Sequence, residues 1–387
     1  MPVRDHALAL YVHWPFCVAK CPYCDFNSHV RAEVDQEAWR RALLADLAHE
    51  AAALPGRRLG SIFFGGGTPS LMPPATVAAV IDAATRAWAP VDGLEITLEA
   101  NPSSVEAARF ADLAAAGVNR ISLGLQALND EALCFLGRAH DVAEGLGALD
   151  IAQRHFARVS VDLIYARPGQ QLKAWEAELA RALAFGTEHL SLYQLTIEPG
   201  TRFATEAAAG RLTIPDADDA ADSFELTQLM TAAAGLPAYE VSNHARPGAE
   251  SRHNLAYWRY RDYAGVGPGA HGRRHGLATF RRRKPENWLA AIARNGHGIE
   301  LEEPLAPGTQ ATEALLMGLR LTEGVDLARI AALAGGAIGE VVDERAVAAL
   351  PHLLRRDGDR LAVTPAGMLL LDAILPQVVR APVPAAA

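Results

Sequence analysis

The feature that most limits the fold is a repeated alternation over the first 195 residues, in which a short apolar run is followed by a stretch of helical apolar spacing. The pattern predicts strands over Leu8–His13, Leu59–Phe64, Leu94–Glu99, Asn119–Leu125, Arg158–Tyr165 and His189–Leu195. Between them it predicts helices over Gln36–Ala53, Pro74–Trp88, Val105–Ala116, Asp130–Leu136, Val142–His155 and Leu172–Phe185. A helix between two strands returns the chain to the same end of the sheet, so the strands are expected to be parallel. Proline in the first turn of Pro74–Trp88 and Gly117 after Ala116 mark a helix start and a helix end. Six strands are visible where a closed eightfold barrel has eight. The expected fold class is therefore α/β, as an open, partial (β/α)6 barrel.

Beyond Glu198 the pattern changes. Thr201–Pro215 reads as loop, Asp218–Ala234 as helix, and Tyr239–Gly272 as irregular and rich in glycine, aromatics and histidine. Thr309–Leu321 is an amphipathic helix. Arg355–Thr364 reads as a hairpin turning at Asp357-Gly358, and Pro365–Leu375 as a closing helix. The expected division is residues 1–235 as the barrel, 236–380 as a mostly helical, winged-helix-like domain, and 381–387 as a disordered tail. The 387 residues suffice for such a pair.

The formal net charge is −9. Sequence-independent nucleic-acid binding needs a basic face, so no nucleic-acid partner is expected. The run Arg281-Arg282-Arg283-Lys284 reads as an ordinary solvated stretch. No apolar h-region opens the chain, and no run reaches the roughly 18 apolar residues of a membrane span. A cytoplasmic protein is expected. Three of the four cysteines fall within eight positions, which argues against a disulfide framework and for metal or redox chemistry.

Those three, Cys17, Cys21 and Cys24, give C-x3-C-x2-C directly after the first strand. Thiolates suit iron–sulfur clusters. A [4Fe–4S] cube held by three ligands keeps one iron open to a further molecule. Zinc is the alternative, yet a structural zinc site wants four closed ligands, and no fourth follows at the usual spacing. Cys134, alone among apolar neighbours, reads as a buried structural thiol. Gly65-Gly66-Gly67-Thr68-Pro69 follows the second strand and would let a backbone approach a ligand closely. Active sites of such folds gather at the C-terminal strand ends. Glu99, Gln126, Asp162, Tyr193 and Gln194 all fall at or near those ends, beside the cysteines.

With these residues set out, the sequence resembles the radical S-adenosylmethionine superfamily, in the group that joins oxygen-independent coproporphyrinogen III oxidase and its haem-chaperone relatives. The resemblance rests on YVHWPFCVAKCPYCDFNSH, FFGGGTPSL, LEANPSS, GVNRISLGLQALND, LGRAH, VDLIYARPGQ, LSLYQLTIEPGT, YEVSNHARPG and RHNLAYWRYRDYAGVGPGAHG. It implies that Cys17, Cys21 and Cys24 ligate a [4Fe–4S] cluster and that S-adenosylmethionine chelates the remaining iron. It further implies S-adenosylmethionine contacts from Tyr11, Tyr23, Gly66, Gly67, Thr68, Glu99, Gln126, Arg138 and Asp162. The chain departs from the group in Ala166-Arg167-Pro168, where Gly-Leu-Pro is common.

Two differences point to the chaperone branch. The oxidase carries C-x-C at the third ligand, and here the position after Cys24-Asp25 is Phe26. The oxidase also has a longer segment before its cluster loop. His253-Asn254-Leu255-Ala256-Tyr257-Trp258 matches His-Asn-x-x-Tyr-Trp of the chaperones, and His253 is the expected haem ligand. The resemblance thus implies haem binding and transfer to respiratory proteins at the membrane surface, with a homodimer among the allowed states. The alternative is oxidative decarboxylation of coproporphyrinogen III to protoporphyrinogen IX.

Overall fold

The computed structural model describes residues 7–380; the tail expected over 381–387 lies outside them. The sheet that organises the fold is eleven-stranded among the described residues. In chain order its strands are β1 (Leu8–Trp14), β2 (Arg58–Gly66), β3 (Ala89–Ala100), β4 (Arg120–Gln126), β5 (Arg158–Tyr165), β6 (His189–Gln194), β7 (Asn243–Ala245), β8 (Tyr263–Val266), β9 (His271–Arg274), β10 (Leu277–Arg281) and β11 (Ile299–Pro304). In space they run β11-β10-β9-β8-β1-β2-β3-β4-β5-β6-β7.

Strands β1 to β6 are parallel and in sequence order, as the alternation predicts. Leu8, Leu10, Val12 and Trp14 of β1, Ile62 and Phe64 of β2, and Leu98, Ile121, Leu123, Val161 and Leu190 all belong to one buried core. This burial of β-branched and large apolar chains against the crossover helices is the main stabilising term. The structure is an α/β partial barrel of the expected class.

Several local expectations are corrected. Tyr239–Gly272 is not irregular: β7, the helix Arg252–Trp258, β8 and the start of β9 lie within it. These elements are short, and glycines at 265, 267, 269 and 272 interrupt the periodicity that would reveal them. β8 pairs in parallel with β1, Tyr11 opposite Gly265, and so adds a seventh parallel strand. Thr201–Pro215 contains the helix Arg202–Ala208, started by the Thr201 side chain accepting from the Ala204 N–H. Val105–Ala116 breaks into Ser104–Ala107 and Phe110–Ala115. Cys134 is exposed rather than buried, because its short helix turns Leu133 inward. Arg281 is fully buried and bonded to Asp46 (2.6 Å) and Glu50 (2.9 Å) of the helix Gln36–Ala53. Arg282 pairs with Glu300.

Residues 243–304 share the sheet of residues 8–194. A second core gathers Ala311 to Val378 with Tyr260, around Leu315, Leu319, Ile330, Leu361 and Ile374. It carries the expected helix, Pro307–Gly318, and the expected hairpin, Leu354–Asp357 with Arg360–Val363. Val325–Asp326 completes a three-stranded sheet with that hairpin. Among the described residues no helix is long and apolar enough to cross a membrane.

Candidate functional site

The loop bearing the three cysteines leaves β1 from an aromatic base. Trp14 and Phe16 pack edge-on against Trp39, and Trp39 stacks on Trp288. The loop is closed where Phe16–Cys17 bridges His29–Val30. The Asn27 side chain donates to the carbonyls of Pro268 and Arg283, both at 2.9 Å. His13 Nε2 lies 2.9 Å from the Asn27 carbonyl and its Nδ1 lies 2.9 Å from the Tyr11 hydroxyl. Burial pushes this imidazole down to about 4, so it is neutral, donating through Nε2 and accepting at Nδ1.

Above this base lies a cavity of about 680 Å³. Cys17, Cys21, Tyr23, Cys24, Gly66, Gly67, Thr68, Glu99, Gln126, Arg138 and Asp162 all line it, together with Tyr193 and Gln194. The C-terminal unit adds Met368, Leu369, Leu371 and Asp372 to the lining. Tyr11 and His253 do not line this cavity. Tyr11 stands mid-strand, with its hydroxyl turned to His13 and its ring 6.2 Å from that of His253.

The glycine run fits by contact. Gly66 has φ 115°, and a side chain there would meet the His13 ring at 2.6 Å. A side chain at Gly67 would meet the Phe16 carbonyl at 2.8 Å and Cys17 Sγ at 3.0 Å. Only glycine lets this turn lie against the cysteine loop.

Hydroxyl and guanidinium groups reach the sulfurs. Thr68 Oγ1 donates to Cys17 Sγ at 3.4 Å, Arg138 Nη1 to Cys21 Sγ at 3.6 Å, and Ser28 Oγ lies 3.9 Å from Cys24 Sγ. Burial pushes the Cys17 and Cys24 thiols up, so their thiolates want a bound cationic centre. Among the described residues no three His, Cys, Asp or Glu side chains converge closely enough to hold a single metal ion. The three thiols line one wall of a roomy cavity, with a donor at each sulfur. This donor set fits an iron–sulfur cluster.

Asn101 joins two of these contacts. Its Nδ2 donates to Thr68 Oγ1 (3.1 Å), and its Oδ1 accepts from Arg138 Nη2 (2.5 Å). Its backbone N–H donates to buried Glu106, which also accepts from Ser70. From sequence, Asn101 stands within LEANPSS with no role assigned to it. The signal was its place two residues after Glu99, at the same strand end.

Two carboxylates face the cavity. Glu99 accepts from the Gly66 N–H at 3.2 Å. Burial, with Asp162 nearby, pushes its carboxyl up to about 8. Asp162 accepts from Ser122 Oγ at 3.0 Å and is likewise raised by burial. Arg138 is the cation of this wall, and its buried Nε has no partner among the described residues. Gln126 sits at φ 67°, a left-handed conformation rare for its type and typical of strained functional positions. The cavity therefore offers acceptors for ammonium and hydroxyl groups and a guanidinium for a carboxylate. Arg167 does not line it. Its guanidinium is buried on Glu178 (2.5 Å) and the Ile164 carbonyl (2.9 Å), while Ala166 takes φ 54°.

His253 lies in the first turn of the helix Arg252–Trp258, capped by Ser251. Its N–H donates to Glu95 Oε1 (3.1 Å), its Nδ1 lies 3.2 Å from Ser61 Oγ, and its ring stacks on Phe63 at 4.9 Å. Its Nε2 has no hydrogen-bond partner among the described residues. His253, Asn254, Tyr257 and Trp258 line a second cavity of about 230 Å³, which shares Tyr193, Ser242 and Arg320 with the first. His244 is buried, with both ring nitrogens unpartnered among the described residues, and lines neither cavity.

Comparison with known proteins agrees with this architecture. Residues 11–182 match the family model of the radical SAM superfamily, and residues 305–370 match the HemN C-terminal domain. The chain is 37% identical over 381 residues to the heme chaperone HemW of Escherichia coli, covering 96% of this chain and 98% of that one. It is 36% identical to the heme chaperone HemW of Mycobacterium tuberculosis, covering 97% and 95%. It is 45% identical over 328 residues to the mitochondrial radical S-adenosyl methionine domain-containing protein 1 of Bos taurus, covering 82% and 74%. The solved structure of coproporphyrinogen III oxidase (HemN) from Escherichia coli superposes with a TM-score of 0.80 at 22% identity, covering 96% of this chain and 90% of that one, which establishes the shared fold. The chain belongs to the radical SAM superfamily, in the group that contains HemN and HemW.

Proposed function

We propose that the protein is a haem-binding and haem-transfer protein built on a radical SAM centre. Cys17, Cys21 and Cys24 hold the [4Fe–4S] cluster. Glu99, Gln126, Arg138 and Asp162, with Tyr23 and the Gly66-Gly67-Thr68 turn, hold S-adenosylmethionine against it. When bound, the cluster supplies one-electron chemistry to S-adenosylmethionine. The chain's own residues position that pair: Thr68 and Arg138 set two sulfurs, Asn101 fixes both, and Glu99, held protonated by burial, would release its proton to solvent and accept from the ammonium group of a bound ligand.

The observation that carries the haem reading is the second cavity. The hydrogen bond of His253 Nδ1 with Ser61 and the stacking on Phe63 fix the ring, and Nε2 is the nitrogen that would be free to hold a haem iron. At about 230 Å³ the space is below the ~300–1,000 Å³ of an ordinary ligand pocket. The adjoining larger cavity supplies the remainder, with Tyr193, Tyr257 and Trp258 as aromatic walls. That relatives similar over almost the whole length are named heme chaperones supports the same reading. In keeping with the resemblance, we take the acceptors to be respiratory haem proteins. The oxidase reading shares the fold, and Phe26 beside the cluster mouth is the position at which this chain departs from it.

The test is anaerobic reconstitution with iron and sulfide, followed by haem titration. Wild type takes up haem, and His253→Ala loses most of that affinity while keeping its cluster absorbance. Uptake unchanged in the variant removes His253 as the ligand. Many turnovers of coproporphyrinogen III to protoporphyrin, with reductant and S-adenosylmethionine, would replace the chaperone reading by the oxidase.

A further inference from the structure

Arg320 occupies the wall between the two cavities and lines both. It lies just beyond the helix Pro307–Gly318, with its backbone N–H on the Met317 carbonyl, and the next residue, Leu321, bridges to Glu240. The backbone at this point is therefore fixed by both units of the chain. Its guanidinium lies over the Trp258 ring, 4.8 Å from the centroid. Nε is buried without an acceptor, and the side chain makes no ion pair among the described residues.

Glu240 lines the same second cavity and feels the charge of Arg320, but makes no ion pair with it. The Glu240 carboxylate is turned to the Ser242 N–H (3.0 Å) and the Asn243 side chain (2.5 Å), and burial pushes it toward its neutral form. A cation at a half-buried wall with no hydrogen-bonded ion pair among the described residues is unfavourable unless a ligand supplies one. A guanidinium is suited to a carboxylate, which it can engage with two parallel N–H donors. The ring beneath it limits the side chain's rotamers and keeps the fork facing the shared space.

We propose that Arg320 pairs with an acidic side chain of the tetrapyrrole, so that the ligand of the joined cavities is selected as a planar molecule carrying a carboxylate. This rests on the haem reading above and assigns to it the group that distinguishes the free acid from its ester. His253 would bind the metal, and Arg320 would set which edge of the macrocycle turns toward the C-terminal unit.

The experiment compares haem with haem dimethyl ester, in the same detergent, on full-length reconstituted protein. Wild type is expected to bind the free acid about tenfold or more tighter than the ester. Arg320→Gln is expected to lower free-acid affinity by a similar factor and to bind acid and ester alike. Arg320→Lys, which keeps the charge and loses the fork, retains part of the preference. Unchanged cluster absorbance and melting temperature in both variants show that the fold is intact. Equal discrimination by wild type and Arg320→Gln overturns the assignment while leaving the haem reading in place. Binding of both ligands by wild type without preference also overturns it. If wild type binds neither, the haem reading fails, and the role of Arg320 fails with it.

Discussion

At the residue scale, the most informative group is Glu99. An ordinary glutamate titrates near 4.5, while burial holds this one up to about 8. The folded state therefore binds a proton more tightly than the unfolded state does. As pH rises from about 5 to about 8, that advantage is lost, and the ligand-free protein becomes less stable. We expect a melting temperature that falls across this window with a component absent in Glu99→Gln. We also expect S-adenosylmethionine binding to release a proton below pH 8, and the variant to bind it about ten- to hundredfold more weakly. A pH slope identical in the variant would show that another group carries it. The lining of the candidate cavity was legible where polar residues sit at or just past strand ends, as with Cys17 and Glu99. It was less legible for Asn101 and Arg320, whose importance comes from what they touch across long stretches of chain. Tyr11 shows the converse: it lies in the cysteine motif, yet its place mid-strand turns it below the cavity.

At the element scale, the helix Gln36–Ala53 is joined to the sheet by charge as well as by apolar packing. Asp46 and Glu50 bind Arg281 of β10 and Arg274 of β9 with all four side chains buried. Asp46 also accepts from the backbone N–H groups of Gly267 and Gly298. Removing one member leaves buried charge without a partner. Arg281→Ala is expected to destabilise the protein by about 3–5 kcal/mol in denaturant unfolding. A change below ~1 kcal/mol would mean that water enters and solvates the carboxylates. From sequence, Arg281 reads as part of a solvated basic run, because its partners lie 231 and 235 residues away. The same separation hid β8. Four residues with a glycine among them carry no readable period, and the strand is defined by its neighbour β1. The long helices and β1 to β6 were legible because each carries its period within itself.

At the scale of the whole molecule, the C-terminal unit contributes Met368, Leu369, Leu371 and Asp372 to the lining of the cavity that holds the cysteines. We propose that the functional division falls after Pro304, where the shared sheet ends and the second core begins. If ligand entry draws that unit against the barrel, hydrogen exchange should slow over residues 365–378 and 193–195 when haem is added to reconstituted protein. No change in those peptides, with haem demonstrably bound, would place the ligand elsewhere. The position of β1 has a consequence in time. The cysteine loop that follows it leaves the ribosome more than 200 residues before the strand at its second edge, which ends at Val266, and before Pro268 and Arg283, the anchors of Asn27. A nascent chain shorter than this holds its thiols on a half-tethered loop. The mature loop geometry arises only once the chain through Arg283 has emerged, so we expect iron and sulfide to be taken up by a chain already closed upon itself rather than by a nascent one.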